Sequence, residues 1–417
     1  MKKLLIFCAL ALVLCVVSGC APPAPPIEEA TTVDATRHGL SPENTGEQNS
    51  ATLQALIDTL AQTGGAVYIP AGEYLFAAAG SQTIGAHCIK MRSDVSIIGD
   101  GEATVLKPVG VSAYGLDMFY FNEYLDSGEP VYLENCRFAD FVIDAADTRC
   151  EQYTSAGKGF MLNLVKNCHW EGVTVKSTDA TGFGVDCPID SSMIRCTAIG
   201  CGKAGTTDSP GASGFGIGFG YCETECISIS DCRADGNKKF GFFLEHQGRF
   251  DSEKYPAAAV GLFAVNDCTA ADNLYGFGGI CAMNTAYERC TAQNSSQYGF
   301  LFEDAAACRA VDCGSRGAKD ASFAIIQSGT QQACRDVVFL RCRGEDAPLG
   351  ALIDSNTDAA MMQGCRIEDC LFTDAEYTVH TDGSIHSLTL IGNVSDTDQN
   401  RLLAQIAVWE HADNSWN

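Results

Sequence analysis

The chain has 417 residues, a formal net charge of −25 and a sequence pI near 4.5. A surface that acidic argues against nucleic acid as a partner, because phosphates need Lys and Arg. It also disfavours polyanionic glycans unless a cation such as Ca²⁺ bridges the like charges.

At this length the chain could hold one large domain or two or three ordinary ones. Residues 1-19 read as a targeting segment: "MKK" is a basic start, "LLIFCALALVLCVV" an apolar run too short to span comfortably, and "VSGC" a processing site. That ending resembles a bacterial lipobox, which makes Cys20 the lipidated first residue of the mature chain. Residues 20-34, with "APPAPPIEEA", then form a stiff Pro-rich tether. The expectation is an exported protein, lipid-anchored to the cell membrane or cell surface and touching the membrane by its anchor only.

The segment "SATLQALIDTLAQTGGAVYIPAGEYLF" predicts an amphipathic helix, a Gly-Gly stop, a strand and a turn. Alternating strands around a Gly-Asp-Gly turn follow in "IKMRSDVSIIGDGEATVLKP". From there the chain repeats. Polar-Cys pairs end at Cys136, Cys168, Cys196, Cys232, Cys268, Cys290, Cys313, Cys342 and Cys370, at intervals of 32, 28, 36, 36, 22, 23, 29 and 28 residues. A second column follows each Cys: "TGFGV", "SGFGI", "KFGFF", "LYGFG", "QYGFL". Units of this length with short period-2 strands and Gly/Asn/Asp turns signal a solenoid. No unit carries an apolar stripe long enough for a helix pair, and the Leu spacing of leucine-rich repeats is absent. A parallel β-helix remains, over residues 35-395, all-β and with an N-terminal capping helix. The 22 cysteines would suggest disulfides in an exported chain. Here the repeat makes most of them an interior ladder of free thiols, because stacked in-register Cys have a poor S–S torsion. The end of the chain, 396-417, is expected to be a short helical cap or a loose tail.

The opening helix, the "IPAGEY" turn and the repeats resemble the pectate-lyase-like superfamily, which holds polygalacturonases, rhamnogalacturonases and pectate lyases. The resemblance implies a single-stranded right-handed parallel β-helix whose helix covers the open end. It does not choose a reaction, since this fold hosts lyases, hydrolases, epimerases and binders. The polygalacturonase series N-T-D, D-D, G-H-G, R-I-K is not carried here; "NTD" at 356–358 stands alone. "TGFGVDCPID" is similar to the Y-G-F-D-P-H-E motif of mannuronan C5-epimerases through Gly184 and Asp186. Phe183 stands in place of its Tyr and Pro188 in place of its His, so one Asp carries over and the acid–base pair does not.

Two insertions, 202–212 and 248–259, lengthen adjacent coils and should rise on either side of one face. On that face "KKFGFFLEHQGRF" breaks the repeat. Alternation points Phe243 and Glu245 outward, beside Gly218 and Gly220 in the coil before and Gly278 and Ile280 in the coil after. That predicts a shallow groove with an exposed ring and an acid, suited to a sugar. Glu303 falls in the Glu245 column two rungs on, which allows a hydrolytic carboxylate pair, with Asp304 as alternative partner. His246 could instead abstract a proton from a uronate, with Arg249 or Ca²⁺ neutralising its carboxylate. Tyr221, Phe243 and Arg249 are the substrate-binding candidates; Asp186, Glu245, His246, Glu303 and Asp304 the catalytic ones. No resident metal or cofactor is expected, Ca²⁺ entering only with a uronic substrate. The reading is a carbohydrate-active surface protein, hydrolase or lyase/epimerase, with a polysaccharide as partner; the alternative is a non-catalytic glycan-binding or adhesive β-helix.

Overall fold

The polar residue in front of each repeat cysteine is the hinge of the fold. Asn135, Asn167, Arg195, Asp231, Asp267, Arg289, Asp312, Arg341 and Asp369 all have φ between 51° and 58°. This is the left-handed region, which Asn and Asp enter at least cost. Where the hinge is Arg, an acid of the preceding coil holds its side chain: Glu171 for Arg195, Asp267 for Arg289 and Asp312 for Arg341. Each hinge turns the chain through a corner and leaves the next side chain, the cysteine, buried.

The computed structural model describes residues 31–78, 85–123, 131–222, 224–247, 262–328, 334–356 and 362–416. Cys20 with the whole export segment, and Arg249 with the second insertion, lie outside the described residues. Every strand pairing among the described residues is parallel, each strand with its counterpart one coil on. Ile227–Ser230 pairs with Phe263–Asn266, and Arg233–Asp235 with Thr269–Ala271. The third strand of each coil forms the long face that carries the site. In chain order these are β1 (Phe160–Asn163), β2 (Phe183–Asp186), β3 (Phe215–Phe219), β4 (Phe240–His246) and β5 (Tyr275–Ile280). There follow β6 (Tyr298–Glu303), β7 (Ala321–Gln327), β8 (Arg343–Ser355) and β9 (Leu371–Ile391). The result is a parallel β-helix, as the repeat predicts.

The aromatic column is the spine of the core. Phe119, Phe160, Phe183, Phe215, Phe242, Phe277, Phe300 and Phe323 stack in sequence, neighbouring ring centroids 4.6 to 5.4 Å apart. The spacing is that of paired strands, about 4.8 Å, so backbone register and ring stacking enforce each other. Burying each such ring is worth about 1.5–3 kcal/mol. The cysteine column lies beside it, and every cysteine among the described residues is a free thiol. Its sulfurs reach backbone carbonyls, as Cys232 does to Ser230 O at 3.2 Å and Cys290 to Val265 O at 3.3 Å.

A stack of this kind has open ends, and the first is closed by α1 (Gly46–Leu60). Thr45 accepts from Gln48 N and donates its own N–H to the Gln48 side chain, a reciprocal cap that sets the start. Leu53, Leu56, Ile57 and Leu60 are buried against the first coils. Gln54 accepts from Lys90 N at 2.8 Å and donates to Lys90 O at 3.0 Å. Its amide thus stands in for a missing strand at the edge of His87–Lys90. The solenoid starts at Thr32–Asp34, which pairs with Gly65–Tyr68, a few residues inside the stretch read as tether. At the far end the expected helical cap is absent. Arg401–Leu402, Gln405–Ala412 and Ser415–Trp416 continue the coils as strands, because they find parallel partners in the preceding turns. Among the described residues no helix is long and apolar enough to cross a membrane.

Candidate functional site

Two outward columns of the long face meet where side chains run out. One reads Asn163, Asp186, Gly218, Glu245, Ile280 and Glu303 from β1 to β6. The other reads Met161, Gly184, Gly216, Phe243, Gly278 and Leu301 over the same strands. Gly184, Gly216 and Gly218 leave a cleft of ≈ 180 Å³ between Lys158 and Asp186 on one side and Phe243, Glu245 and Gln247 on the other. The first insertion supplies the rim through Pro210 and Gly211. It is tied down by Tyr153 and Ser155, whose hydroxyls donate to Pro210 O at 2.7 and 3.1 Å.

The glycines are required by what crosses them. A Cβ on Gly218 would collide with both the Gln247 amide and the Asp186 carboxylate, and one on Gly184 would sit 2.6 Å from Lys158 Cδ. The expected groove is therefore present, but one register detail is corrected. Phe243 and Glu245 pair with Gly216 and Gly218, not with Gly218 and Gly220. Gly220 has φ of 116° and already belongs to the turn after β3.

The two acids of the cleft differ in setting. Asp186 is only 8 % exposed, and its Oδ1 accepts from Gln247 Nε2 at 2.8 Å, which fixes where the carboxyl points. Burial pushes the Glu245 carboxyl up, and the charge of Asp186 adds to the rise while Lys239 and Lys158 oppose it. Asp186 and Glu245 stand two rungs apart with Gly218 between them, about 9–10 Å at the backbone.

The other candidate residues fall elsewhere. Glu303 is also two rungs from Glu245, but Ile280 fills the rung between. Glu303 lies outside the cleft, its carboxyl raised by burial and by Asp304; the acid that lines the cleft with Glu245 is Asp186. Asp304 is fully buried. It accepts from Gln327 Nε2 at 2.6 Å, from Ser328 N at 2.9 Å and from the Ser328 hydroxyl, which makes it a corner brace rather than a partner acid. His246 turns away from Glu245, as neighbours on a strand must. Its ring packs edge-on to core Phe219 at 5.7 Å, and burial pushes its pKa down. Tyr221 belongs to the turn whose N–H groups bind Glu225, beyond the cleft walls. Phe243 lines the cleft, but its ring is 8 % exposed rather than open, stacked on Phe240 at 4.6 Å.

Sequence alone does not single out Lys158 and Gln247. Gln247 is visible in "LEHQ"; Lys158 precedes β1 by two residues and gives no signal until its stem is laid across Gly184. A second depression of ≈ 370 Å³ lies between α1 and His87–Lys90. Its polar groups are committed to each other through Gln54–Lys90, Arg92–Asp58 and Lys90–Glu123, so it is the seam of the cap. Among the described residues no group of three or more His, Cys, Asp or Glu could hold a metal.

No protein-family model matches the chain, and no curated protein matches its sequence. Solved structures do match. The Azotobacter vinelandii mannuronan C-5 epimerase AlgE6 A-module superposes with a TM-score of 0.65 at 18% identity, over 92% of this chain and 98% of that one. A mutant tailspike protein of E. coli bacteriophage HK620, in complex with a pentasaccharide, superposes with a TM-score of 0.62 at 14% identity, over 88% and 68%. The catalytic domain of a GH87 alpha-1,3-glucanase, in complex with tetrasaccharides, gives 0.62 at 12%, over 95% and 71%. At these identities the likeness establishes the fold, the right-handed parallel β-helix of the superfamily that the sequence resembles.

Proposed function

We propose that the cleft hydrolyses a glycosidic bond of a polysaccharide, with Glu245 as general acid and Asp186 as the base that activates water. The observation that carries this is a pair of carboxyl groups in one cleft on either side of the Gly218 row, Glu245 raised by burial and Asp186 bound by the Gln247 amide. An acid must keep its proton to give it to a leaving oxygen, and burial, with Asp186 nearby, shifts the Glu245 carboxyl in that direction. A base must be aimed, and the Gln247 amide holds Asp186 Oδ1 in place. Their backbone separation of about 9–10 Å compares with the roughly 6.5–9.5 Å carboxyl spacing of inverting glycosidases.

The names of the structural neighbours support a saccharide ligand: an epimerase of mannuronan, a tailspike with bound pentasaccharide and a glucanase. His246 packs against Phe219 and does not line the cleft, which favours hydrolysis over the lyase or epimerase alternative that would use it as base. The reading of residues 1–34 as an export signal, lipidated Cys20 and tether belongs to this proposal and puts the activity at the outer face of a membrane.

The test pairs wild type with Glu245→Gln and Asp186→Asn on neutral and uronic polysaccharides, with and without Ca²⁺. New reducing ends, inverted at the anomeric carbon and reduced about 10²–10⁴-fold by either substitution, are expected. Unsaturated products would mean a lyase. Retained glycan binding with no product from wild type would mean the non-catalytic surface protein.

A further inference from the structure

Beyond the cleft, toward the C-terminal coils, the outer face of β4 to β8 has a consistent make-up. One column presents Phe243, Leu301 and Leu352, with small residues between them. These belong to an apolar cluster separate from the interior core, with Phe243 and Leu301 buried and Leu352 packed against it half-exposed. The column beside it alternates acid and isoleucine: Glu245, Ile280, Glu303, Ile326, Asp354. No Lys or Arg stands in either column. Glu245, Glu303 and Asp354 make no ion pair among the described residues, whereas the acids at the coil corners do, as Asp267, Asp312 and Glu368 show with Arg289, Arg341 and Arg366. Burial raises the carboxyls of Glu303 and Asp354; Lys239 acts on Glu245 and Glu303, and His380 on Asp354, only from beyond ion-pair distance, so carboxyls outnumber cations along the strip.

We infer that the glycan drawn into the cleft is uncharged along this strip, and that Glu303 and Asp354 are specificity-determining residues that turn polyuronates away. The inference rests on the reading of the cleft as a saccharide site. A pyranose unit advances a chain by about one strand spacing, so successive sugars overlie successive coils. Their C–H faces meet the half-exposed Ile280, Ile326 and Leu352, and their hydroxyls donate to the carboxylates of the same strip. A uronate on the same path places a carboxylate beside Glu303 or Asp354, neither of which has a Lys or Arg within ion-pair reach among the described residues. Lys158 lies over Gly184, and its charge acts on Glu245 but on neither Glu303 nor Asp354.

Calorimetry with neutral hexose oligosaccharides, oligogalacturonate and oligomannuronate, at low and high salt, tests this on the whole chain. Wild type should bind a neutral oligomer more tightly than either uronate. Glu303→Gln with Asp354→Asn should weaken neutral binding, because a charged acceptor of sugar hydroxyls becomes an amide, yet raise uronate affinity about fivefold for each carboxylate removed at low salt, the gain shrinking as salt screens the charges. Uronate binding as tight as neutral binding in wild type overturns the inference, as does a double variant that gains no uronate affinity. Binding is read apart from turnover, so the two readings fail separately. A chain that binds neutral glycan without cleaving it defeats the hydrolase and leaves this inference standing; hydrolysis of a polyuronate does the reverse.

Discussion

Gly218→Ala is the sharpest perturbation the structure offers, because it adds one methyl group at the row between the two acids. Gly218 does not have a positive φ, so the backbone accepts alanine. The new Cβ, however, would occupy the space of Gln247 Nε2 and Asp186 Oδ1, both ends of movable side chains. They must separate, which breaks the 2.8 Å hydrogen bond that orients Asp186. A hydrogen bond to a charged group is worth about 1.5–3 kcal/mol, so a modest fall in stability is expected, with the fold intact. The larger effect falls on the reaction. Moving a reacting carboxylate by about 1 Å costs on the order of 10²-fold. Gly216→Ala is the control: its Cβ would lie 3.0 Å from Thr181 Cγ2, a contact relieved by a few tenths of an ångström. Rates of reducing-end release, beside urea denaturation curves, compare the three proteins. Wild-type activity in Gly218→Ala, or equal loss in Gly216→Ala, would refute the assignment of chemistry to the Gly218 row.

The raised carboxyl of Glu245 predicts a pH-dependent stability effect. A raised pKa favours the protonated fold, so its stabilisation is present below the usual carboxylate pKa and is lost as pH rises through the raised value. Glu245→Gln should therefore match wild type in urea denaturation near pH 4 and exceed it at pH 7 by about 1–2 kcal/mol, the repulsion of two charges about 9–10 Å apart at an effective dielectric near 20. Lower stability than wild type at pH 7 would contradict this. Alkylation followed by mass spectrometry should label the half-exposed Cys150, Cys222, Cys226 and Cys281 first and the buried column only after denaturation. A disulfide between two column cysteines would overturn the ladder. Gln54→Ala should cost about 1–3 kcal/mol by leaving the Lys90 backbone groups unpaired, read by denaturation with cleft activity preserved.

The sequence by itself determined the architecture. Polar-Cys corners, the aromatic column and an amphipathic opening helix are local, repeated requirements: a left-handed hinge, a stacked interior and a covered edge. Each is met by residue type and spacing alone. Alternation also places Glu245 outward, and the same period of two turns its neighbour His246 inward. Tertiary structure decided the rest. A slip of two residues leaves every side chain on its original face. The pattern therefore cannot separate Gly216 and Gly218 from Gly218 and Gly220; the hydrogen-bond ladder and the Phe215–Phe242 stack do. Asp186 and Glu303 are equally far from Glu245 by count, and the intervening rung decides: Ile280 fills one with its own side chain, whereas Gly218 leaves its place to Asp186 and Gln247, which line the cleft with Glu245. Lys158 and Gln247 come from coils far apart in the chain and meet one cleft only because the coils close. Periodicity in a sequence specifies which way a side chain points, but the neighbour it meets is set by register.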